Sequence, residues 1–104
     1  MVINIDLLLF KYKGEKPLPK TVQVGASAFG DLEVLMEPHK GEHCLVVVKS
    51  NVYNFFGAWE SILNKFFNSM NIVAYVEIND FGAPPAIITM RLLQAVELSC
   101  CKDD

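Results

Sequence analysis

Few side chains in this chain are suited to nucleophilic or acid–base chemistry. His39 and His43 lie on either side of Gly41. Cys44 follows His43, but it begins a Val-rich segment and is interpreted as a buried small hydrophobic residue. A nucleophile needs a base within hydrogen-bonding reach and a third group that orients the base. We therefore interpret the two histidines as solvated turn residues and not as parts of a catalytic site.

Carboxylates and cysteines give no stronger indication of an active site. Glu33 and Glu37 fall on the same face of a predicted strand, where a row of polar residues more simply marks the side that faces water. Cys44, Cys100 and Cys101 show no spacing that would complete a four-ligand metal site with the histidines. The sequence therefore predicts no catalytic residue and no metal centre.

Two charged residues near the second predicted helix are candidates for binding. Asp80 precedes that helix and is placed to hydrogen-bond free N–H groups at the helix start. Alternatively, the helix start accepts an anion such as a phosphate. Arg91 lies about two turns into the helix, either as a surface or packing residue or as a partner for Asp80 or a phosphate. Asp80 and Arg91 are thus possible phosphate or partner contacts.

Hydrophobic spacing predicts the elements that position these residues. Alternation with a period of two favours strands, and a period near 3.6 favours helices. The Gly- and Pro-containing segment 11–20 is predicted to be irregular. The predicted strands cover residues 3–10, 32–37, 44–49 and 72–79, with a short one at 21–24, and the helices cover 55–71 and 86–100. The prediction is an α+β two-layer sandwich, a mainly antiparallel sheet with two helices on one face in the order β-β-β-α-β-α.

Each predicted helix has one apolar stripe that should face the sheet. In the first helix the stripe comprises Phe55, Trp59, Ile62, Phe66 and Met70, widened by Phe56, Leu63 and Phe67. In the second it comprises Ile87, Met90, Val96 and either Leu92 or Leu93.

Composition limits the classes of function that are open to the protein. The 104 residues are 52% hydrophobic and 20% charged, which predicts a single packed domain over residues 1–104. The net charge of −3 and the scattered basic residues argue against nucleic acid and against an anionic membrane surface. No signal peptide or membrane-spanning run is recognisable, and the odd cysteine count is typical of a reducing compartment, so a cytoplasmic location is expected.

Two segments are more specific than composition. The first is Gly30-Asp31-Leu32-Glu33-Val34-Leu35-Met36-Glu37-Pro38. The second is Ile78-Asn79-Asp80-Phe81-Gly82-Ala83-Pro84-Pro85, followed by Arg91-Leu92-Leu93-Gln94-Ala95. In order and spacing they resemble the acyl-carrier (delta) subunit family of malonate decarboxylase, and the helix with Trp59 falls where that family has a Trp-containing helix. The resemblance spans roughly Gly25 to Glu97.

The resemblance implies a non-catalytic carrier. Such a subunit holds acetyl or malonyl as a thioester on a 2'-(5''-phosphoribosyl)-3'-dephospho-CoA arm, which is joined to a serine through a phosphodiester. The implied partners are the transferase and decarboxylase subunits of malonate decarboxylase and a separate prosthetic-group transferase that attaches the arm. A carrier of this kind needs no activated nucleophile of its own, which agrees with the absence of a recognisable triad.

The turn around Gly30 departs from the family pattern at one position. In the family the modified serine directly precedes Gly-Asp, whereas Phe29 precedes Gly30 and Asp31 here, and the nearest serine is Ser27. One interpretation is that Ser27 takes the arm. A second is a diverged, unmodified interaction subunit, and a third is an altered chain or a different family. Phe29 itself either folds inward as a plug or stays exposed as a docking anchor.

Overall fold

A computed structural model of the protein describes residues 6–50 and 56–101. The predicted starts of the first strand at residue 3 and of the first helix at Phe55 lie outside these ranges. The described elements are β1 (Asp6–Lys13), β2 (Lys16–Pro17), β3 (Val22–Gly25), β4 (Leu32–Pro38), β5 (His43–Ser50), α1 (Phe56–Met70), β6 (Ile72–Asp80) and α2 (Pro85–Cys100). In these ranges, no helix has the length and apolar character needed to cross a membrane.

The strands form one mixed sheet in the order β1-β5-β6-β4-β3. The pairs β1–β5, β6–β4 and β4–β3 are antiparallel, and β5 and β6 are parallel. Parallel neighbours need a crossover connection, and the segment that contains α1 supplies it. The prediction of a mainly antiparallel α+β sandwich is confirmed, and the parallel central pair is the detail that periodicity did not reveal.

The sheet has one buried face, on which both helices pack. Residues Leu32, Val34 and Met36 of β4 are buried, while Glu33 and Leu35 between them are only half-buried. The same alternation runs through β5 and β6, because successive side chains of a strand point to opposite faces. The buried face meets an aromatic layer from α1 that includes Trp59, Phe66 and Phe67, together with Ile88, Leu92 and Ala95 of α2.

The inward face of α2 was predicted in part: Leu92, one of the two alternatives, is buried, and Ile87 and Val96 are partly buried against the core. The buried residues are Ile88, Leu92, Ala95 and Ser99. The side chains of Met90 and Leu93 are 41% and 40% exposed. Apolar residues occupy nearly every side of this helix, so the hydrophobic pattern alone does not identify which side is buried. Ser99 lies on the buried side, where its hydroxyl donates to the Lys20 carbonyl oxygen at 2.7 Å and accepts from the Lys20 N–H.

The segment predicted to be irregular, residues 11–20, is more ordered than expected. β1 continues to Lys13, and β2 then pairs in parallel with the start of β6 at Ile72 and Val73. The signal for irregular structure was the presence of Gly14, Pro17 and Pro19, but Pro17 falls in a two-residue strand where little ladder bonding is required. The predicted order therefore gains β2, and the short strand at 21–24 is present as β3.

Gly25, the last residue of β3, should be one of the least replaceable residues of the sheet. Its φ is +90°, and a Cβ placed there would clash with the carbonyl oxygen of Leu32. We expect Gly25→Ala to lower the free energy of unfolding in urea by about 2 kcal/mol or more, through backbone strain and steric overlap. Gly57→Ala is the matched control, because its added methyl group meets no atom within 4 Å and its helical φ is ordinary. Equal stability of the two variants would contradict this reading.

Candidate functional site

The candidate site is the connection between β3 and β4, residues 26–31. Gly30 has a φ of +83°, and the N–H of Asp31 donates to the carbonyl oxygen of Ala28 at 3.0 Å, which closes a tight turn. Ser27, Ala28 and Phe29 are all exposed on this turn. We name residues 27–31 the attachment turn. Its short, glycine-containing sequence explains why the chain reverses here and projects its side chains into solvent.

A second turn holds the attachment turn in place. The Gly30 N–H donates to the carbonyl oxygen of Phe81 at 2.9 Å, and the Phe81 N–H donates to the carbonyl oxygen of Asp31 at 3.0 Å. These two bonds extend the β4–β6 ladder, in which Leu32 pairs with Asp80. The two motifs of the sequence, far apart along the chain, therefore meet at one end of the sheet.

Asp31 and Arg91 fix the attachment turn to α2. The Arg91 Nε donates to Asp31 Oδ1 at 3.0 Å and its Nη2 donates to Oδ2 at 3.1 Å, a two-point contact that is stronger and more directional than a single ion pair. Asp31 Oδ1 also accepts from the Leu32 N–H at 2.8 Å, and Arg91 Nη1 donates to Gln94. Hydrogen bonding from Arg91 first, and then from the Leu32 N–H, lowers the pKa of the Asp31 carboxyl below its ordinary value.

The lowered pKa of Asp31 predicts how the fold responds to acid. Because the charged form is favoured in the folded state, the contact stabilises the protein above about pH 4 and is lost as pH falls through the lowered pKa. We expect Asp31→Asn to be less stable than wild type near pH 7, with the difference shrinking as pH falls below about 4. Denaturant unfolding between pH 7 and pH 2.5 measures this, with Glu42→Gln, an exposed acidic residue, as the control. A difference that is independent of pH would refute it.

Asp80 is almost fully buried, with 8% of its surface exposed, at the end of β6. Its Oδ1 accepts from the N–H groups of Gly82 and Ala83, both at 3.0 Å, and its Oδ2 accepts from the Ser50 hydroxyl at 3.0 Å. The carboxylate thus shapes the turn that carries Phe81. It bonds N–H groups of the turn and not of α2, so the prediction that Asp80 hydrogen-bonds the start of the helix is wrong. The first position of α2 is a proline, which has no N–H to donate.

A pocket of about 310 Å³ lies between α1 and the β6–α2 turn. Its lining is mostly apolar, from Trp59, Ile62, Pro84 and Ile88, and Asp80 is the one titratable side chain that lines it among the described residues. Its described lining therefore offers no second group that could form an acid–base pair with this carboxylate, which already accepts three hydrogen bonds.

The three cysteines do not contribute a reactive centre to this site. Cys44 is buried in β5, and burial raises the pKa of its thiol to about 12, so the thiolate that would act as nucleophile or metal ligand is disfavoured. Cys100 and Cys101 are exposed at the far end of α2. Within the described residues, no cluster of three or more potential ligands is placed to hold a metal ion.

The structure brings together five of the six residues singled out from the sequence. Phe29, Gly30 and Asp31 share the attachment turn with Ser27, and Arg91 contacts that turn through Asp31 and not through Asp80. Asp80 acts one step away, by shaping the turn of Phe81. The bracing role of Phe81 was missed, because it depends on backbone atoms and leaves no mark on residue type. The three-residue spacing of Arg91 and Gln94 was the available signal for their contact.

Comparison with known proteins agrees with this arrangement. The family model of the malonate decarboxylase delta subunit matches residues 19–99, which include both turns and all of α2 except its last residue. The chain belongs to the malonate decarboxylase delta subunit family. This confirms the resemblance seen in the two sequence motifs.

Relatives of this family match along most of the chain. The malonate decarboxylase acyl carrier protein of Malonomonas rubra is 40% identical over 99 residues, covering 88% of this chain and 87% of the relative. That of Burkholderia cepacia is 35% identical over 95 residues, covering 88% of each. Because these relatives are carrier subunits, the family assignment confirms the prediction of a carrier and not an enzyme.

A solved structure extends the likeness to the fold. One chain in the crystal structure of a Pseudomonas malonate decarboxylase hetero-tetramer in complex with malonate superposes with a TM-score of 0.86 at 28% identity. The match covers 90% of this chain and 98% of that chain. The two-layer sandwich and its crossover through α1 are therefore shared across nearly the whole length of both.

Proposed function

We propose that this chain is the acyl carrier of a malonate decarboxylase complex and that Ser27 carries its prosthetic group. The observation that carries the proposal is the attachment turn, which exposes Ser27 while hydrogen bonds to Phe81 and the Asp31–Arg91 contact hold its base. A fixed base with an exposed hydroxyl suits a residue that a separate enzyme must reach and modify.

The residues present fit the proposed group, 2'-(5''-phosphoribosyl)-3'-dephospho-CoA. Attachment through a phosphodiester requires one accessible hydroxyl, and the Ser27 side chain is exposed at the surface. When bound, the group supplies a thiol that holds acetyl or malonyl as a thioester. Ser27 acts as the point of attachment, while Gly30, Asp31 and Arg91 keep the turn in one place. None of these residues is required to move a proton during acyl transfer.

Arg91 has a second proposed role beside the attachment point. It is one-quarter exposed, and it neutralises Asp31, the acidic residue closest in sequence to Ser27. This neutralisation lowers the repulsion that the carboxylate would exert on a phosphodiester joined to the turn. Asp80 is too enclosed by its three hydrogen-bond partners to contact a phosphate directly, so its proposed contribution is to the shape of the neighbouring turn.

The proposed partners are the transferase and decarboxylase subunits of the complex and the prosthetic-group transferase that loads the carrier. The hetero-tetramer of the related Pseudomonas protein supports an assembly with other subunits. In this scheme the transferase and decarboxylase subunits catalyse the reactions, and the carrier presents the thioester to them. The single titratable side chain among the described residues of the pocket, Asp80, agrees with this division.

A second candidate function is an unmodified interaction subunit, and Phe29 is the observation that favours it. Its side chain is 101% exposed and occupies the position next to Gly30 where the resembled family pattern has the modified serine. In that case the chain keeps the fold and the partners of a carrier without carrying an arm. Intact mass after co-expression with the prosthetic-group transferase separates the two, because only the carrier gains the mass of the arm.

A further inference from the structure

Phe29 has the highest exposure among the large apolar side chains of the described residues. Leu9, the next, is 68% exposed, and it lies in β1 on the sheet face opposite the helices. An exposed phenyl ring forgoes roughly 2 kcal/mol that burial would return. Nothing in the turn requires an aromatic residue, because Gly30 supplies the positive φ and backbone groups supply the hydrogen bonds. The ring is therefore best explained by something that covers it.

The ring is presented on a rigid support. The two residues after Phe29 are Gly30 and Asp31, and two backbone hydrogen bonds to Phe81 hold them. Arg91 also holds Asp31 through a two-point contact. The backbone that carries the ring therefore has little conformational entropy to lose on binding, which favours an efficient interface anchor. Aromatic residues at the centre of interfaces commonly dominate the binding free energy.

Two further exposed apolar side chains lie near Arg91 along α2, the helix that contacts the turn through that residue. Met90, which precedes Arg91, and Leu93 lie about one helical turn apart. Their side chains are 41% and 40% exposed. Arg91 lies between them in the sequence, and its charge is paired with Asp31. Arg91 also donates a hydrogen bond to Gln94. A partner that covers this region does not have to desolvate an unpaired charge.

We propose that Phe29 is a docking anchor that inserts into an apolar pocket on a large subunit of the malonate decarboxylase complex, with Met90 and Leu93 at its margin. The proposal rests on membership of a complex, as proposed above, but not on modification of Ser27. A second copy is the less favoured occupant. The related Pseudomonas protein belongs to a hetero-tetramer, which favours a different subunit over insertion of Phe29 into the pocket beside Trp59 of another copy.

Binding to the assembled complex tests the anchor. The chain is produced without the prosthetic-group transferase, so that Ser27 is unmodified, and titrated against purified large subunits that lack a carrier. We expect Phe29→Ala to weaken Kd by about 30-fold or more, and Phe29→Leu by less, because leucine retains an apolar side chain. Leu9→Ala, which removes an exposed apolar side chain from the other face, should change Kd less than threefold.

Three outcomes would overturn the anchor. The first is wild-type affinity in Phe29→Ala, and the second is an equal loss of affinity in Phe29→Ala and Leu9→Ala. The third is concentration-dependent self-association of the wild type in sedimentation that Phe29→Ala abolishes. The fluorescence of Trp59, which is buried, reports whether each variant is folded. Arm attachment is measured separately by mass. If the wild type gains the arm and Phe29→Ala binds with wild-type affinity, the anchor alone is refuted. A wild-type chain that gains no mass refutes the attachment alone.

Discussion

Replacing Ser27 with alanine is expected to abolish attachment of the prosthetic group while leaving the fold intact. Ser27 is exposed and makes no hydrogen bond that braces the attachment turn, since those bonds come from Gly30, Asp31 and Phe81. The loss should be complete, because a methyl group offers no oxygen for a phosphodiester. Intact-mass spectrometry after co-expression with the prosthetic-group transferase measures the change directly.

Two further variants make the experiment decisive. Ser61→Ala removes another exposed serine, in α1, and should retain the full mass shift of the wild type. Phe29→Ser places a hydroxyl directly before Gly30, on the same braced turn. If Ser27 is the attachment point, the double variant Ser27→Ala with Phe29→Ser tests whether the transferase also accepts the adjacent position.

The pattern of masses separates the two proposed functions. A shift in the wild type that disappears in Ser27→Ala supports the carrier. No shift in the wild type, together with a shift in Phe29→Ser, means that the turn is still recognised but has lost its acceptor, as expected of an unmodified interaction subunit. A wild-type shift that persists in Ser27→Ala would place the arm on a different residue and refute the assignment.

The sequence predicted the sheet better than the helix packing. Strands such as β4 alternate strictly between buried and half-buried residues, so their inward faces could be predicted from residue type. In α2 the apolar residues surround the helix, and the buried side includes Ser99, a polar residue that bonds to the backbone of Lys20. Such a contact joins residues 79 positions apart, and no local pattern encodes it.

The candidate site could be predicted in its location but not in its connections. Gly30 and Asp31 identified the turn, and Asp80 and Arg91 were recognised as significant charged residues. Their partners depend on the β4–β6 register, which places Leu32 opposite Asp80 and so brings Gly30 beside Phe81. Only the folded sheet establishes that Arg91 reaches Asp31 while Asp80 turns toward Ser50.

Asp80→Ala is expected to be the most damaging substitution near the site. It removes a nearly buried carboxylate and leaves the N–H groups of Gly82 and Ala83 and the hydroxyl of Ser50 without this acceptor. We expect a loss of about 2–3 kcal/mol in the free energy of unfolding. For a domain of this size that corresponds to a fall in Tm of roughly 10–20 °C, measurable by calorimetry.

The same substitution should loosen the attachment turn, which a purely local defect would not do. Asp80 shapes the turn of Phe81, and Phe81 exchanges backbone hydrogen bonds with Gly30 and Asp31. Hydrogen exchange at the Gly30 and Phe81 amides should therefore accelerate in Asp80→Ala beyond what its lower global stability explains. Asp80→Asn retains an acceptor oxygen and should be intermediate, while Glu97→Ala, an exposed acidic residue on α2, should match the wild type. Unchanged protection of Gly30 in Asp80→Ala, after correction for global unfolding, would show that the two turns are not coupled.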